Sequence, residues 1–172
     1  MKRLVLLFIL SLLTSSGFAQ ATQRMPDACS LITAGDINRL FGTIVKYKDD
    51  APPGQLACPL RSDDNAVEVT LQYQTLADIA KAEALLKLNA DSMKVHLANA
   101  KPSAFTAIAD FEPAGKGASY LIGTDAVRGP VVVLQFVIEK HLVTFSSTGV
   151  PVETVKENLP EVYRIIKRNS AL

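Results

Sequence analysis

From Val67 to Tyr73 apolar and polar side chains alternate strictly, with Val67, Val69, Leu71 and Tyr73 on one side and Glu68, Thr70 and Gln72 on the other. A period of two is the mark of a strand with one buried and one wet face. The same period returns, more apolar, in Val131 to Ile138 and His141 to Ser147, which flank Glu139-Lys140. That arrangement predicts a hairpin closed by a two-residue turn. Its register then follows from the pleat. Ile138 faces His141, Phe136 faces Val143, Leu134 faces Phe145 and Val132 faces Ser147, and this aromatic and aliphatic side is the expected core. The opposite side sets Val137 beside Leu142, Gln135 beside Thr144 and Val133 beside Ser146. It is less polar than a fully solvated face, so something covers it or something binds it.

Helical periods separate these strands. Thr33 and Asp36 form a capping pattern, Ile32 can staple against Ile37, and Ile37, Leu40 and Phe41 share a face that stops at Gly42. Thr75 and Asp78 repeat the capping spacing and open a long helix to about Ala98, with Leu76, Ile79, Leu86, Met93 and Leu97 as its expected apolar stripe. A last helix follows Gly149 and Pro151. Val152, Val155, Leu159, Val162, Tyr163 and Ile166 make its apolar side, its glutamates come early and its basic residues late, and Pro160 is expected to kink or split it. Strands are expected at about Thr43 to Lys48, Leu56 to Leu60 and Ala118 to Ile122. Turns occupy the Asp49–Gly54 run and Ser62 to Asn65, and the stretch 99–116 reads as an irregular loop.

The fold class implied is α+β: a mainly antiparallel sheet of about six strands with helices packed on it. The order of helix plus three strands in each half suggests a pseudo-repeat. Strands do not alternate with crossover helices, which argues against a doubly wound nucleotide fold.

Composition changes the picture at the chain's start. Lys2 and Arg3 precede an apolar run from Leu4 to Leu13 broken only by Ser11, and small residues at Gly17, Ala19 and Ala21 follow. That is the layout of a secretory signal, 1–19, with cleavage after Ala19 or after Ala21. A ten-residue run is too short to cross a bilayer, which needs about 20 apolar residues. The expected organisation is then a signal, a flexible segment 20–28 and a single domain 29–172, periplasmic or secreted. No cysteine stands at the boundary to carry a lipid, and the mature chain is expected to have no transmembrane helix. With 18 basic and 17 acidic residues the whole chain is nearly neutral, which argues against a nucleic-acid partner.

Export decides how Cys29 and Cys58 are read: an even pair in an oxidising compartment predicts a disulfide. A redox-active pair would take a Cys-x-x-Cys form, which is absent here. Other chemistry is sparse. Two histidines and two cysteines are too few and too scattered for a metal cluster, so no metal and no cofactor is expected. Asp63 and Asp64 read as turn chemistry, because the spacing of a calcium loop is missing. Gly115-Lys116-Gly117 lacks the glycine spacing and the Lys-Ser/Thr pair of a phosphate loop. Asp36 reads as a capping carboxylate and His96 as a residue near a helix C-terminus.

The run Ala28-Cys29-Ser30-Leu31-Ile32-Thr33 with Gly42, then Ala57-Cys58-Pro59, then Asp110-Phe111 to Ala118-Ser119-Tyr120, carries a resemblance. It resembles uncharacterised small exported proteins and lipoproteins whose mature domain opens with Cys-x-Leu-Leu-Thr, a short helix and Leu-Gly. The resemblance implies a disulfide-stapled α+β domain of unknown function and carries no catalytic residue over; this chain lacks the lipid-attachment cysteine of many of them.

The expected function is a non-enzymatic exported binding or interaction module of the cell envelope. Its candidate surface is the second face of the hairpin: Val133, Gln135, Val137, Leu142 and Thr144. The expected partner is an envelope protein, a small ligand or a second copy of the chain. One alternative is a small secreted hydrolase, drawing on His141 or His96 with Ser119, Ser146 or Ser147 and Asp110 or Asp125, although no Gly-x-Ser-x-Gly elbow supports it. Another is a structural or inhibitory subunit of an envelope assembly.

Overall fold

The computed structural model describes residues 26–47, 56–99 and 104–171. The expected export signal, most of segment 20–28 and the 49–54 turn lie outside the described residues. The chain begins with two short helices, α1 (Ala28–Leu31) and α2 (Ala34–Phe41), followed by strands β1 (Lys46–Tyr47), β2 (Ala57–Arg61) and β3 (Glu68–Thr75). A long helix α3 (Ile79–Ala98) leads to β4 (Phe105–Asp110), β5 (Ser119–Asp125), β6 (Gly129–Ile138) and β7 (His141–Thr148), and α4 (Val152–Ser170) ends the fold. The strands form one sheet in the order β1-β2-β3-β7-β6-β5-β4, antiparallel throughout.

The class is therefore α+β on an antiparallel sheet, but with seven strands rather than six. The added strand is β4, which replaces part of the loop expected over 99–116 and is followed by a short 3-10 turn (Glu112–Ala114). Its register shifts between Phe105 and Ala107, so Thr106 and Ala107 are both exposed and the alternation that announces a strand is erased. The strand also lies at the sheet edge, where burial on either face is weakest.

The hairpin register is the predicted one, pair for pair from Val132 opposite Ser147 to Ile138 opposite His141. Glu139 takes a positive φ of 52° in its turn. On one face of the sheet Val69, Leu71, Val132, Leu134, Phe136, Val143 and Phe145 are fully buried and packed with residues of α1, α2 and α4. Full burial of one such side chain contributes roughly 1.5–3 kcal/mol. From α4 come Val155, Leu159, Val162, Ile165 and Ile166. Tyr163 stands edge-on to both Phe111 and Phe136. Pro160 does not split α4, which runs unbroken through it, with the proline itself exposed.

Two helix expectations need correction. α2 has the full capping box, with Thr33 Oγ1 accepting from the Asp36 N–H and Asp36 accepting from the Thr33 N–H. At α3, by contrast, Asp78 alone is the cap, accepting from the Lys81 N–H, while Thr75 completes β3. The stripe of α3 also differs. Ala82, Leu86 and Ala90 are its buried residues, with Met93 and Leu97 half-buried, whereas Ile79 is 52% exposed. Small alanines let the helix lie close on the sheet, and a count of large apolar residues overlooks them.

Cys29 of α1 and Cys58 of β2 are disulfide-bonded, and Cys58 is fully buried. A four-residue helix cannot hold itself on a sheet, so the bridge supplies the anchor. Replacing both cysteines with alanine is expected to lower stability by about 3–4 kcal/mol by the loop-entropy relation; a denaturant midpoint unchanged from the oxidised protein would contradict it. Gly149, between β7 and α4, has φ +84°, and a Cβ there would come within 2.0 Å of the Ala66 carbonyl oxygen. Gly149→Ala is therefore expected to cost more than about 3 kcal/mol, read as a loss of folded protein or a large fall in Tm.

Candidate functional site

Among the described residues, the helix packed on the second face of the sheet is α3. The helix leaves the end of β3 and crosses β7 and β6 to reach β4 at the far edge. It packs on β6, β7 and β4, whereas on the same face of β3 Gln72 and Gln74 are exposed. Between α3 and this strip lies a groove of about 450 Å³. Leu85 and Asn89 form its helix wall, Gln72, Tyr73 and Gln74 come from β3, and Gln135, Leu142 and Thr144 come from β6 and β7. Asn89 and Gln135 also border a second cavity of about 350 Å³, which continues past Ser92, Met93 and His96.

The two flanks of α3 differ in chemistry. On the groove side the helix presents Leu85, Asn89, Ser92 and His96, spaced for one face at three and four residues. No carboxylate, ammonium, guanidinium or thiol lines the groove of about 450 Å³ among the described residues. The other flank borders a cavity of about 800 Å³ against the 110–118 segment, and it is charged. Lys87 pairs with Asp91, and Lys94 lies 3.3 Å from Asp110. These ions are exposed and contribute little to stability.

Of the face expected to bind a partner, Leu142 is buried, and Val133, Gln135, Val137 and Thr144 are half-buried. Gln135, Leu142 and Thr144 line the groove, and Gln135 Nε2 donates to Thr144 Oγ1 at 3.4 Å. Gln72, Gln74, Leu85 and Asn89 are groove residues that sequence reasoning missed. A glutamine on the wet face of a strand reads as solvated, and only the position of α3 turns it into a wall. The available signal was two glutamines spaced by two beside the Gln135–Thr144 pair.

The hydrolase candidates are not brought together. His141 is buried, its Nδ1 lies 2.9 Å from Thr75 Oγ1, its ring stands edge-on to Tyr73, and its Nε2 has no hydrogen-bond partner among the described residues. Neither ring nitrogen touches a serine. Ser147 lies on the core face, its hydroxyl buried without a partner, while Ser146 lies on the opposite face with its hydroxyl 3.5 Å from the Thr70 carbonyl. Ser119 is buried opposite Asp110 at the start of β5, and Asp110 faces Lys94. Asp125 accepts from the Val127 and Arg128 N–H groups of its turn, which holds its carboxyl below the ordinary range. Among the described residues no group of three or more His, Cys, Asp or Glu side chains could hold a metal ion. No described helix is long and apolar enough to cross a membrane.

No family model and no curated protein matches the chain. Among solved structures it is similar to the crystal structure of the extracellular domain of PknH from Mycobacterium tuberculosis, at a TM-score of 0.57 and 11% identity. The likeness covers 87% of this chain and 100% of that one. At that identity it shows the fold alone.

Burial holds the His141 imidazole below its ordinary pKa of 6.5; Glu139 pulls it up and Lys140 pushes it further down. The unfolded chain therefore binds a proton that the folded chain resists. The associated stability is complete above pH 6.5 and is lost as the pH falls from there toward the depressed folded value. Between neutral pH and about pH 5 the Tm of the protein is expected to fall more than that of His141→Gln. Parallel curves for the two proteins would refute this.

Proposed function

We propose that this chain is an exported, disulfide-stapled binding module of the cell envelope that acts without catalysis, and that the groove beside α3 is its ligand site. The observation that carries the reading is the groove itself. It is concave, it is walled by residues of α3, β2, β3, β6 and β7, and its described lining combines amides and hydroxyl-bearing side chains with leucines. Such a surface can recognise a ligand by shape and hydrogen bonding, but it lacks the base or nucleophile pair that hydrolysis demands.

Three further facts support export. The first 21 residues have the layout of a secretory signal, Cys29 and Cys58 are bridged, and the solved structure of similar fold is titled an extracellular domain. The opening Cys29-Ser30-Leu31-Ile32-Thr33, shared in pattern with small exported proteins and lipoproteins, fits the same reading. A structural or inhibitory subunit is the second reading, favoured by Leu88 and Val95 on the outer side of α3, which are 64% and 61% exposed.

The test is a titration of isotope-labelled, disulfide-bonded protein with a small-molecule extract of its own envelope, followed by NMR. Shifts are expected to cluster on Leu85, Asn89, Gln135 and Thr144, and to vanish in Gln72→Arg, where an exposed side chain is exchanged for a bulky cation without touching the core. Shifts scattered elsewhere, or equally present in Gln72→Arg, would overturn the assignment.

A further inference from the structure

We infer that the ligand of this groove is a neutral oligosaccharide; the inference rests on the binding-module reading and narrows it to a chemical class. The polar wall consists of Gln72, Gln74, Asn89, Gln135 and Thr144. A carboxamide both donates and accepts, as a sugar hydroxyl does, so the two satisfy each other without any net charge. Among the described residues, the one side-chain hydrogen bond within this set is the 3.4 Å contact of Gln135 with Thr144, which leaves most of the amide capacity facing the groove. Leu85 and Leu142 supply apolar surface beside these amides, which suits the C–H faces that a sugar ring carries between its hydroxyls.

Charge among the described residues argues against ionic ligands. A phosphate, a carboxylate or an ammonium bound in the groove of about 450 Å³ would lose hydration without meeting a counter-ion among its described lining residues, at a cost that neutral hydrogen bonds do not offset. The paired charges of α3 lie on the other flank, toward Glu83, Lys87, Asp91 and Lys94. A peptide strand is disfavoured for a different reason. Binding by strand addition needs a free sheet edge, and β3, β6 and β7, which carry most of the wall, have neighbours on both sides; only the Ala57 end of β2, which β1 pairs at Leu60 and Arg61 alone, lacks a second described neighbour. The interior strands and α3 offer their amides as side chains, and a sugar needs nothing more.

Length sets the size of the ligand. The flank runs from Leu85 through Asn89 and Ser92 to His96, and Asn89 and Gln135 line both cavities. At 1.5 Å per residue this spans about 16 Å along α3, room for several sugar units in a row.

The probes are the trimer of N-acetylglucosamine, maltotriose, and an acetylated and amidated trialanine, each titrated at millimolar concentration into the labelled, disulfide-bonded protein. At least one sugar is expected to shift the side-chain amide signals of Gln72, Asn89 and Gln135 saturably. Gln135→Leu, which keeps the volume and removes the amide, is expected to weaken it about tenfold. Gln72→Ala gives the same reading at an exposed position should the first variant fail to fold. Binding that extends to an insoluble polymer of the same sugar supports a polymer segment as the natural ligand, and binding confined to the trimer supports a free oligosaccharide. Failure of both sugars while trialanine or the envelope extract shifts the groove overturns the saccharide and leaves the binding module standing. Failure of every probe and of the extract overturns both.

Discussion

The pairing of β3 with β7 is the contact on which the rest of the molecule depends. β1, β2 and β3 precede α3 and pair in sequence order, and β4 to β7 do the same after it. Only the eight-residue register from Glu68–Thr148 to Thr75–His141 joins the two groups into one sheet. It brings together residues 66 or more positions apart, so its loop-closure cost falls on the whole chain and is offset by the burial it completes. Both ends of the seam are tied by side chains. At one end Arg128 reaches Glu68 at 3.1 Å and the Asn65 carbonyl at 3.2 Å, with Arg61 on the same carboxylate. At the other, Thr75 meets His141.

That seam imposes the course of α3. Because β3 pairs with the last strand, the chain leaving it must pass over the sheet to begin β4 at the opposite edge. The other face is already filled by α1, α2 and α4. A single twenty-residue helix cannot cover a seven-stranded sheet, so a strip beside it stays open. The groove is that strip, and residues of β3, β6 and β7 make its floor because the seam runs beneath it. The Cys29–Cys58 bridge acts on the opposite face, tying α1 to β2.

Polar groups follow the same division. Those near the groove are neutral and offer hydrogen bonds, whereas those buried at the seam, the His141 Nε2 and the Ser147 hydroxyl, have no partner. An unpartnered buried polar atom weakens a fold, and at His141 the weakness depends on pH.

The sequence alone determined what depends on neighbours along the chain. The Thr33–Asp36 capping box, the Glu139-Lys140 turn and the whole β6–β7 register follow from local periods and short-range hydrogen bonds, and export chemistry singled out the cysteine pair. The tertiary structure decided what depends on residues far apart. β4 was hidden because a bulge at an edge strand cancels its alternation, and the true stripe of α3 was hidden because alanines bury without standing out as apolar. The groove was hidden for the deeper reason. Gln72 and Gln74 belong to one strand, Asn89 to a helix and Gln135 and Thr144 to a later hairpin, and no local pattern links them. Their meeting is a product of one non-local strand pairing and the helix path it forces, which only the assembled sheet specifies.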